Sequence, residues 1–183
     1  MSVASAFVRR GAPLLAAALF ALGQPHAVAG EAAAASHCTV GELTLFACST
    51  GRKLLSVCAS ADLARDAGVV QYRFGAAGEA PFILPKAADW RAAVRGGSLM
   101  FSGGGGAYLA FANPPYRYVV YSAIGRGWGS RAGVVVEKHG RRIANLPCAG
   151  AAASALGPDL FARAGIAEDS TGFELPPVQR NAR

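Results

Sequence analysis

Apolar positions along this chain fall in short runs rich in β-branched and aromatic residues, and glycine, proline and serine separate these runs. Runs of this length and spacing are typical of β-strands joined by tight turns. The expected strands cover residues 42–48, 52–59, 69–75, 81–85, 98–101, 107–111, 116–125, 132–138 and 141–148. The pattern predicts a mostly β protein, either an antiparallel meander or a small β-barrel or sandwich.

Several connections between these strands carry their own signals. Ser49-Thr50-Gly51 and His139-Gly140 each separate two expected strands, and we expect a hairpin at both places. Prolines bound the run at 81–85. Because proline cannot donate a ladder hydrogen bond, this run is expected at a sheet edge or a crossing.

The clearest helix signals lie in two segments. Residues 89–95 predict two helical turns that begin with Asp89 as the N-cap and stop at Gly96-Gly97. Residues 157–165 predict a short helix near 158–164, because Pro158 suits the first helical position and Gly165 the C-terminal cap.

The first 29 residues have the pattern of a secretory signal peptide. Arg9 and Arg10 supply the positive charge, residues 13–22 the apolar segment, and Ala27-Val28-Ala29 the cleavage site. The apolar segment is about half of the roughly 20 residues that span a bilayer, so cleavage is favoured over an uncleaved anchor. We expect a periplasmic or secreted protein with no membrane span after cleavage.

The remaining chain is expected to form one domain. Residues 30–37 predict a flexible leader, residues 38–166 a single β-rich domain, and residues 167–183 a disordered tail in which Phe173 and Leu175 are the only apolar candidates for contact. Oligomeric state is not indicated by any pattern in the chain.

The charge of the chain is mildly basic. It carries 18 Lys and Arg and 11 Asp and Glu, a formal net charge of +7. Two of the basic residues lie in the signal peptide, so 16 basic and 11 acidic residues leave the mature chain near +5. The basic residues are scattered, which argues against a nucleic-acid partner.

Four cysteines follow the signal peptide: Cys38, Cys48, Cys58 and Cys148. An even number in an exported chain predicts two disulfide bonds, with three pairings open. We favour Cys58–Cys148 and Cys38–Cys48. The spacings do not match those of zinc sites.

Four consecutive glycines, Gly103 to Gly106, stand between Ser102 and Ala107. The favoured interpretation is a hairpin turn that uses their positive φ angles, with one or two left for a bulge. The alternative is a contact surface on which bare backbone meets a partner, flanked by the hydroxyls of Ser102 and Tyr108. A phosphate-binding loop is disfavoured because Ala107-Tyr108 follows in place of Lys-Ser/Thr.

A second glycine-rich stretch surrounds Arg126 and Trp128. Tryptophan and arginine are over-represented at binding hot spots, so both are candidates for partner binding. Packing into the core is the favoured role for Trp128.

Catalytic candidates are few. A triad of Ser102, His139 and Asp89 can be written, but no G-x-S-x-G elbow supports it. With two histidines in the mature chain, a metal site is disfavoured. We expect no catalytic residue, metal or cofactor; a serine hydrolase using Ser102 is the enzyme alternative.

The segments LFACSTGRKLLSVCAS, QYRFG, FSGGGGAYLAF, YRYVVYSAIGRGW and VVVEKHGRRIANLPC resemble a family of exported bacterial β-proteins without an assigned activity. Ser102-Gly103 followed by Tyr108 is also similar to the Ser-Gly-x-x-Tyr loop of periplasmic inhibitors of C-type lysozyme, although it is two residues longer. Lys138 stands near the place of that family's Lys-Gly pair, with His139 between Lys138 and Gly140.

The second resemblance implies a small disulfide-bonded β-barrel that blocks an enzyme cleft. In it, Ser102 would bond a catalytic carboxylate and Lys138 an acidic group of the cleft. We therefore expect a disulfide-bonded binding protein whose partner is a cell-wall hydrolase or an envelope component. The expected contact residues are Ser102, Gly103, Gly104, Gly105, Gly106, Tyr108, Arg126, Trp128 and Lys138. A structural envelope protein is the alternative outside the enzyme class.

Overall fold

A computed structural model describes Met1 and residues 35–86 and 89–177. The expected signal peptide, its cleavage site and the last six residues lie outside the described residues. Five antiparallel strands form the first sheet: β1 (Leu43–Ser49), β2 (Lys53–Ala59), β3 (Val70–Ala76), β4 (Phe82–Leu84) and β10 (Ala153–Ser154). Their spatial order is β10-β1-β2-β3-β4, so the short run between prolines is an edge strand, as its sequence predicts.

The second sheet is an antiparallel meander of five strands in chain order. The strands are β5 (Val94–Phe101), β6 (Gly104–Asn113), β7 (Tyr116–Gly125), β8 (Gly129–Lys138) and β9 (Arg141–Pro147). The predicted mostly β, antiparallel fold is confirmed. Strand β6 begins three residues earlier than the sequence suggests, because three of the four glycines are part of the strand.

The main core lies between the two sheets, because alternate residues of each strand point to one face. Val57 and Tyr72 of the first sheet and Leu109, Phe111 and Val120 of the second belong to this buried cluster. The rings of Tyr72 and Phe111 have centroids 5.7 Å apart across the two sheets. The two β-sheets therefore share one apolar interior.

Two short helices pack against this core: α1 (Trp90–Ala93) and α2 (Pro158–Ala164). The Asp89 side chain caps α1 by accepting a hydrogen bond from the Ala92 N–H at 3.3 Å. The helix is shorter than predicted because the chain becomes extended at Val94 and enters β5. Helix α2 ends at Gly165 with φ 63°, as predicted.

The disulfide pairing differs from the favoured one. Cys38 is bonded to Cys58, and Cys48 to Cys148. The reason is the alternation of β2: Cys58 faces outward, toward the segment that precedes β1, and is therefore turned away from Cys148. Cys48 lies in the core and reaches Cys148, which follows β9, so the second bond joins the two sheets.

Residues 35–42, which we call the N-terminal cover, lie on the outer face of the first sheet. The His37 N–H donates to the buried Ser56 hydroxyl at 2.9 Å, and Arg73 donates to the His37 carbonyl at 2.9 Å. Both Arg73 terminal nitrogens also reach the Glu42 carboxylate at 2.7 Å. His37, the last residue of the expected flexible leader, is thus hydrogen-bonded to the sheet.

Residues 168–177, which we call the C-terminal cover, lie on the outer face of the second sheet, where the sequence predicts a disordered tail. Arg117 forms ion pairs with Glu137 and with Asp169. Phe173 packs against Tyr108 and Tyr121, with centroids 5.2 and 5.6 Å away. An apolar outer face of the sheet supplies the partners that the tail sequence alone does not reveal.

Candidate partner-binding surface

Two hairpin tips of the second sheet lie side by side. The first is Ser102-Gly103, between β5 and β6, and the second is residues 126–128, between β7 and β8. The Arg126 N–H donates to the Gly103 carbonyl at 2.9 Å, which joins the tips. The structure thus brings together Ser102, Gly103 and Arg126 from two predicted binding segments.

The glycine run divides between the turn and the strand. Only Gly103 has a positive φ, 77°, and it occupies the second position of the turn. Gly104, Gly105 and Gly106 pair with β5 on one side and β7 on the other. Their backbone groups belong to the two ladders, so a partner does not find the bare hydrogen-bonding groups that the contact-surface interpretation requires.

Close approach of the strands explains two of the strand glycines. A Cβ atom on Gly106 would lie 2.7 Å from the Cα and Cβ atoms of Ala123, and one on Gly104 would lie 2.6 Å from the Cα of Gly125. Gly105 points to the other face, where the nearest atom is the Leu99 carbonyl oxygen at 3.1 Å. Gly104 and Gly106 are therefore required by packing, whereas Gly105 meets one backbone atom and faces an open space beyond it.

That open space is a pocket of about 260 Å³. One wall is the inner face of the second sheet near the tips, and the other is the segment 150–156, which contains β10. The residues that line it are mostly small: Gly105, Ala107, Ser122, Ser130, Ala152 and Leu156 are among them. Small side chains on both walls leave room for a side chain of another molecule.

Two apolar side chains at the tip end are unusually exposed. Met100 and Ile124 pair with Gly105 from either side, and their relative exposures are 90% and 61%. Because Gly105 has no side chain, a gap separates them above the pocket. We call Ser102, Gly103, Ile124 and Arg126 the tip surface. Strand alternation could have placed Ile124 on this face, but the sequence does not show that nothing covers it.

Trp128 serves mainly to close the outer side of the tips. Its ring lies over Gly125 and packs against Phe101, with centroids 5.4 Å apart. The Arg131 guanidinium lies 5.5 Å from the ring centroid, within cation–π range. Trp128 is half-buried, which fits its predicted packing role.

Tyr108 lies away from the tip surface. It is 3% exposed, its ring lies over Gly97, and Phe173 of the C-terminal cover lies against it. Burial, and next the charge of Asp169, raise the pKa of Tyr108 to about 12. The Tyr108 hydroxyl is therefore neutral at physiological pH. Because the side chain is buried under Phe173, it does not flank Ser102 as the sequence suggests.

Lys138 lies at the other end of the second sheet. It ends β8, whereas Ser102 and Arg126 lie beyond the start of that strand. Ten residues of extended chain make this separation roughly 30 Å. The Lys138 ammonium lies 5.4 Å from the centroid of Tyr116. Lys138 and Ser102 therefore belong to different surfaces.

Two of the catalytic candidates, Ser102 and His139, lie at opposite ends of the second sheet. His139 follows β8 at the Lys138 end, so the length of the sheet separates it from Ser102. The catalytic triad of Ser102, His139 and Asp89 therefore does not assemble. Within residues 35–86 and 89–177 no group of three metal-ligating side chains comes together. No helix of the described part of the chain is both long and apolar enough to cross a bilayer.

Comparison of the chain with protein-family models, with curated proteins and with solved structures found no match in any of the three. No relative or structural neighbour therefore supplies a residue role. We therefore consider Ser102, Ile124 and Arg126 as candidates on their positions in this chain alone.

Proposed function

We propose that this chain is a periplasmic or secreted binding protein that contacts a protein partner through the tip surface and the pocket beneath it. The observation that carries the proposal is the exposed Ile124 above a pocket lined by Gly105, Ser122 and Ser130. An exposed apolar side chain beside a polar rim is a common feature of protein interfaces.

The chemistry of the tip surface also favours binding. Arg126 is exposed and offers five N–H donors, and Ser102 adds a hydroxyl beside it. The tips are held together by a backbone hydrogen bond, so little conformational freedom is lost when they contact a partner. A protein with this surface contributes contacts that an acidic or polar cleft can accept.

A cell-wall hydrolase such as lysozyme is the partner class that the sequence resemblance favours. Ser102 and Arg126 project from one end of the sheet, as a cleft-blocking loop requires. Tyr108 and Lys138 would take no part in such a contact, because one is buried and the other is roughly 30 Å away. Inhibition would therefore rest on the tips alone.

The test is a turbidity assay in which the disulfide-bonded mature chain protects suspended cell walls from a C-type lysozyme. We expect protection at a stoichiometric ratio, weakened about tenfold or more by Ile124→Asp and by Arg126→Ala, because both remove tip contacts. Equilibrium titration of the two proteins gives the dissociation constant without dependence on the cell walls.

The matched control is Ile143→Asp. Ile143 is 56% exposed on the same sheet, close to the 61% of Ile124, but lies on β9 away from the tips. Equal losses of affinity in Ile124→Asp and Ile143→Asp would contradict the proposal that the tip surface contacts the partner. No binding and no protection at about 10 μM protein would remove lysozyme as the partner.

A further inference from the structure

The four sheet edges of this protein are protected to different degrees. Strands β4 and β10 have only three and two residues, and short edge strands offer little to pair with. Strand β9 carries the exposed Arg141 and Arg142, and charge at an edge discourages pairing. Strand β5 has eight residues, and its one charged side chain, Arg95, donates to the Arg91 and Val94 carbonyls. Residues 96–101 of this strand have neither form of protection and read Gly-Gly-Ser-Leu-Met-Phe.

Part of the β5 edge is already paired with the protein's own chain. The Gly96 N–H donates to the Ala167 carbonyl at 3.0 Å, and the Asp169 N–H donates to the Gly96 carbonyl at 2.9 Å. This short bridge is parallel. The chain then turns away at Asp169 and crosses the outer face as the C-terminal cover.

The alternation of the ladder fixes which groups remain open. Because Gly96 points its N–H and C=O away from β6, Ser98 and Met100 do so as well. Neither residue has a backbone hydrogen bond to another described segment at this edge. The N–H groups of Ser98 and Met100 are therefore two open donors at this edge, and their C=O groups are two open acceptors.

Two pockets flank this open stretch, one on each face of the sheet. The pocket on the inner side measures about 250 Å³ and is lined by Ser98, Phe161 and Ile166. The pocket on the outer side measures about 320 Å³ and is lined by Leu99, Phe173 and Leu175, with Ser98 at its margin. Side chains of an added strand alternate between the two faces, so successive residues would enter opposite pockets.

The charge beside the two pockets and the length of the open edge favour one kind of ligand. Glu168 borders the inner pocket and Glu174 the outer one, both are exposed, and neither forms an ion pair with another described residue. Pairing along all eight residues of a second copy of β5 would overlap residues 167–169 beside Gly96. A short extended segment has no such overlap.

We infer that the β5 edge from Ser98 to Phe101 binds an extended peptide segment of a partner protein by strand addition. The segment has apolar side chains on both faces and a Lys or Arg that pairs with Glu168 or Glu174. Main-chain hydrogen bonds to Ser98 and Met100 supply affinity, and the two pockets supply selectivity. This site adjoins the tip surface at Ser102 but shares no residue with it.

The test uses a displayed library of random heptapeptides, selected on the intact disulfide-bonded protein. We expect enriched sequences with consecutive apolar residues and a basic residue. A synthetic copy of an enriched peptide is then titrated by fluorescence polarisation. Ser98→Pro removes one open donor and no ladder bond, so it should weaken binding about tenfold or more while the fold is retained. Ser98→Lys places a charge at the edge, which discourages pairing, and should weaken peptide binding to a similar extent.

Ile143→Lys on β9 and Ile124→Asp at the tips are the controls, and both should leave the peptide affinity unchanged. Failure of the library to yield any enriched sequence would overturn the inference. Loss of peptide binding in Ile124→Asp with retention in both Ser98 variants would also overturn it, in favour of the tip surface. A dimer in sedimentation that Ser98→Lys dissociates would assign the edge to a second copy instead.

Discussion

The two sheets have the same number of strands and are each covered on the outside by a chain terminus, but they are fastened differently. The N-terminal cover is attached to the first sheet by the Cys38–Cys58 bond and by the paired charges of Arg73 and Glu42. The C-terminal cover is held on the second sheet without a covalent bond, by Arg117, Phe173 and Arg131. Under oxidising conditions, only the N-terminal cover is therefore attached covalently to its sheet.

The two surfaces for which we propose binding both lie on the sheet whose cover is held without a covalent bond. Both the tip surface and the open part of β5 belong to the second sheet, whose strands of up to ten residues extend to the exposed tips. The first sheet has strands of at most seven residues. In our proposal the first sheet is the support and the second carries the surfaces that contact other molecules.

The largest predicted effect concerns the bond that joins the two sheets. Replacing Cys48 and Cys148 by serine opens a loop of 100 residues, which should cost about 4–5 kcal/mol in the free energy of unfolding. Replacing Cys38 and Cys58 opens a loop of 20 residues and should cost about 3 kcal/mol. Urea unfolding of both double variants measures the difference. A greater loss from the Cys38–Cys58 pair would reverse this assignment.

Next in size is the effect of a methyl group in the glycine run. Gly106→Ala should lower the unfolding free energy by about 2–3 kcal/mol, because its Cβ meets the main chain of β7. Gly105→Ala should cost less than about 1 kcal/mol, because only the Leu99 carbonyl lies near. The two sites are one residue apart, so thermal unfolding compares the two faces directly. Equal losses would mean that Gly105 does not face a pocket.

A smaller effect is expected from loosening the C-terminal cover. Phe173→Ala removes a half-buried ring from Tyr108 and Tyr121 and should cost about 2 kcal/mol. Val40→Ala is the control in the N-terminal cover, where the side chain is fully exposed and the change should be close to zero. If both variants unfold at the same urea concentration, Phe173 does not hold the cover.

The smallest effect is a pH dependence at the N-terminal cover. Hydrogen bonds from Arg73 lower the pKa of Glu42 from 4.5 to about 2, so the pair stabilises the fold above about pH 4.5 and this contribution is lost as the pH falls toward 2. Glu42→Gln should therefore cost about 1 kcal/mol at pH 7, since the pair is partly exposed to solvent, and clearly less near pH 2, where about half of the carboxylates are protonated. A difference as large at pH 2 as at pH 7 would argue against the ion pair as its cause.

Local sequence signals predicted most of the fold. The run 116–125 forms a strand with those bounds, and the turn at His139-Gly140 and the cap at Gly165 are where the chemistry of those residues places them. Disulfide pairing was beyond prediction because it depends on which face of β2 carries Cys58. Strand β10 has two residues, too few for a pattern.

The candidate site was predicted only in part. Ser102, Gly103 and Arg126 meet at the tips, because each stands in a turn that the glycines mark. The burial of Tyr108 depends on Phe173, 65 positions later in the sequence, and no local pattern shows this contact. Ile124 was not singled out from the sequence, since its exposure depends on how far the other wall of the pocket extends.

The most direct test of the contrast between the sheets is amide hydrogen exchange of the oxidised protein at neutral pH. We expect the His37 N–H, bonded to Ser56 beside a disulfide, to exchange slowly, and the Asp169 and Gly172 N–H groups to exchange faster by about tenfold or more. Protection of the C-terminal cover equal to or greater than that of the N-terminal cover would contradict it. Both sheets would then be closed to the same degree, and the second would have no special claim to the binding surfaces.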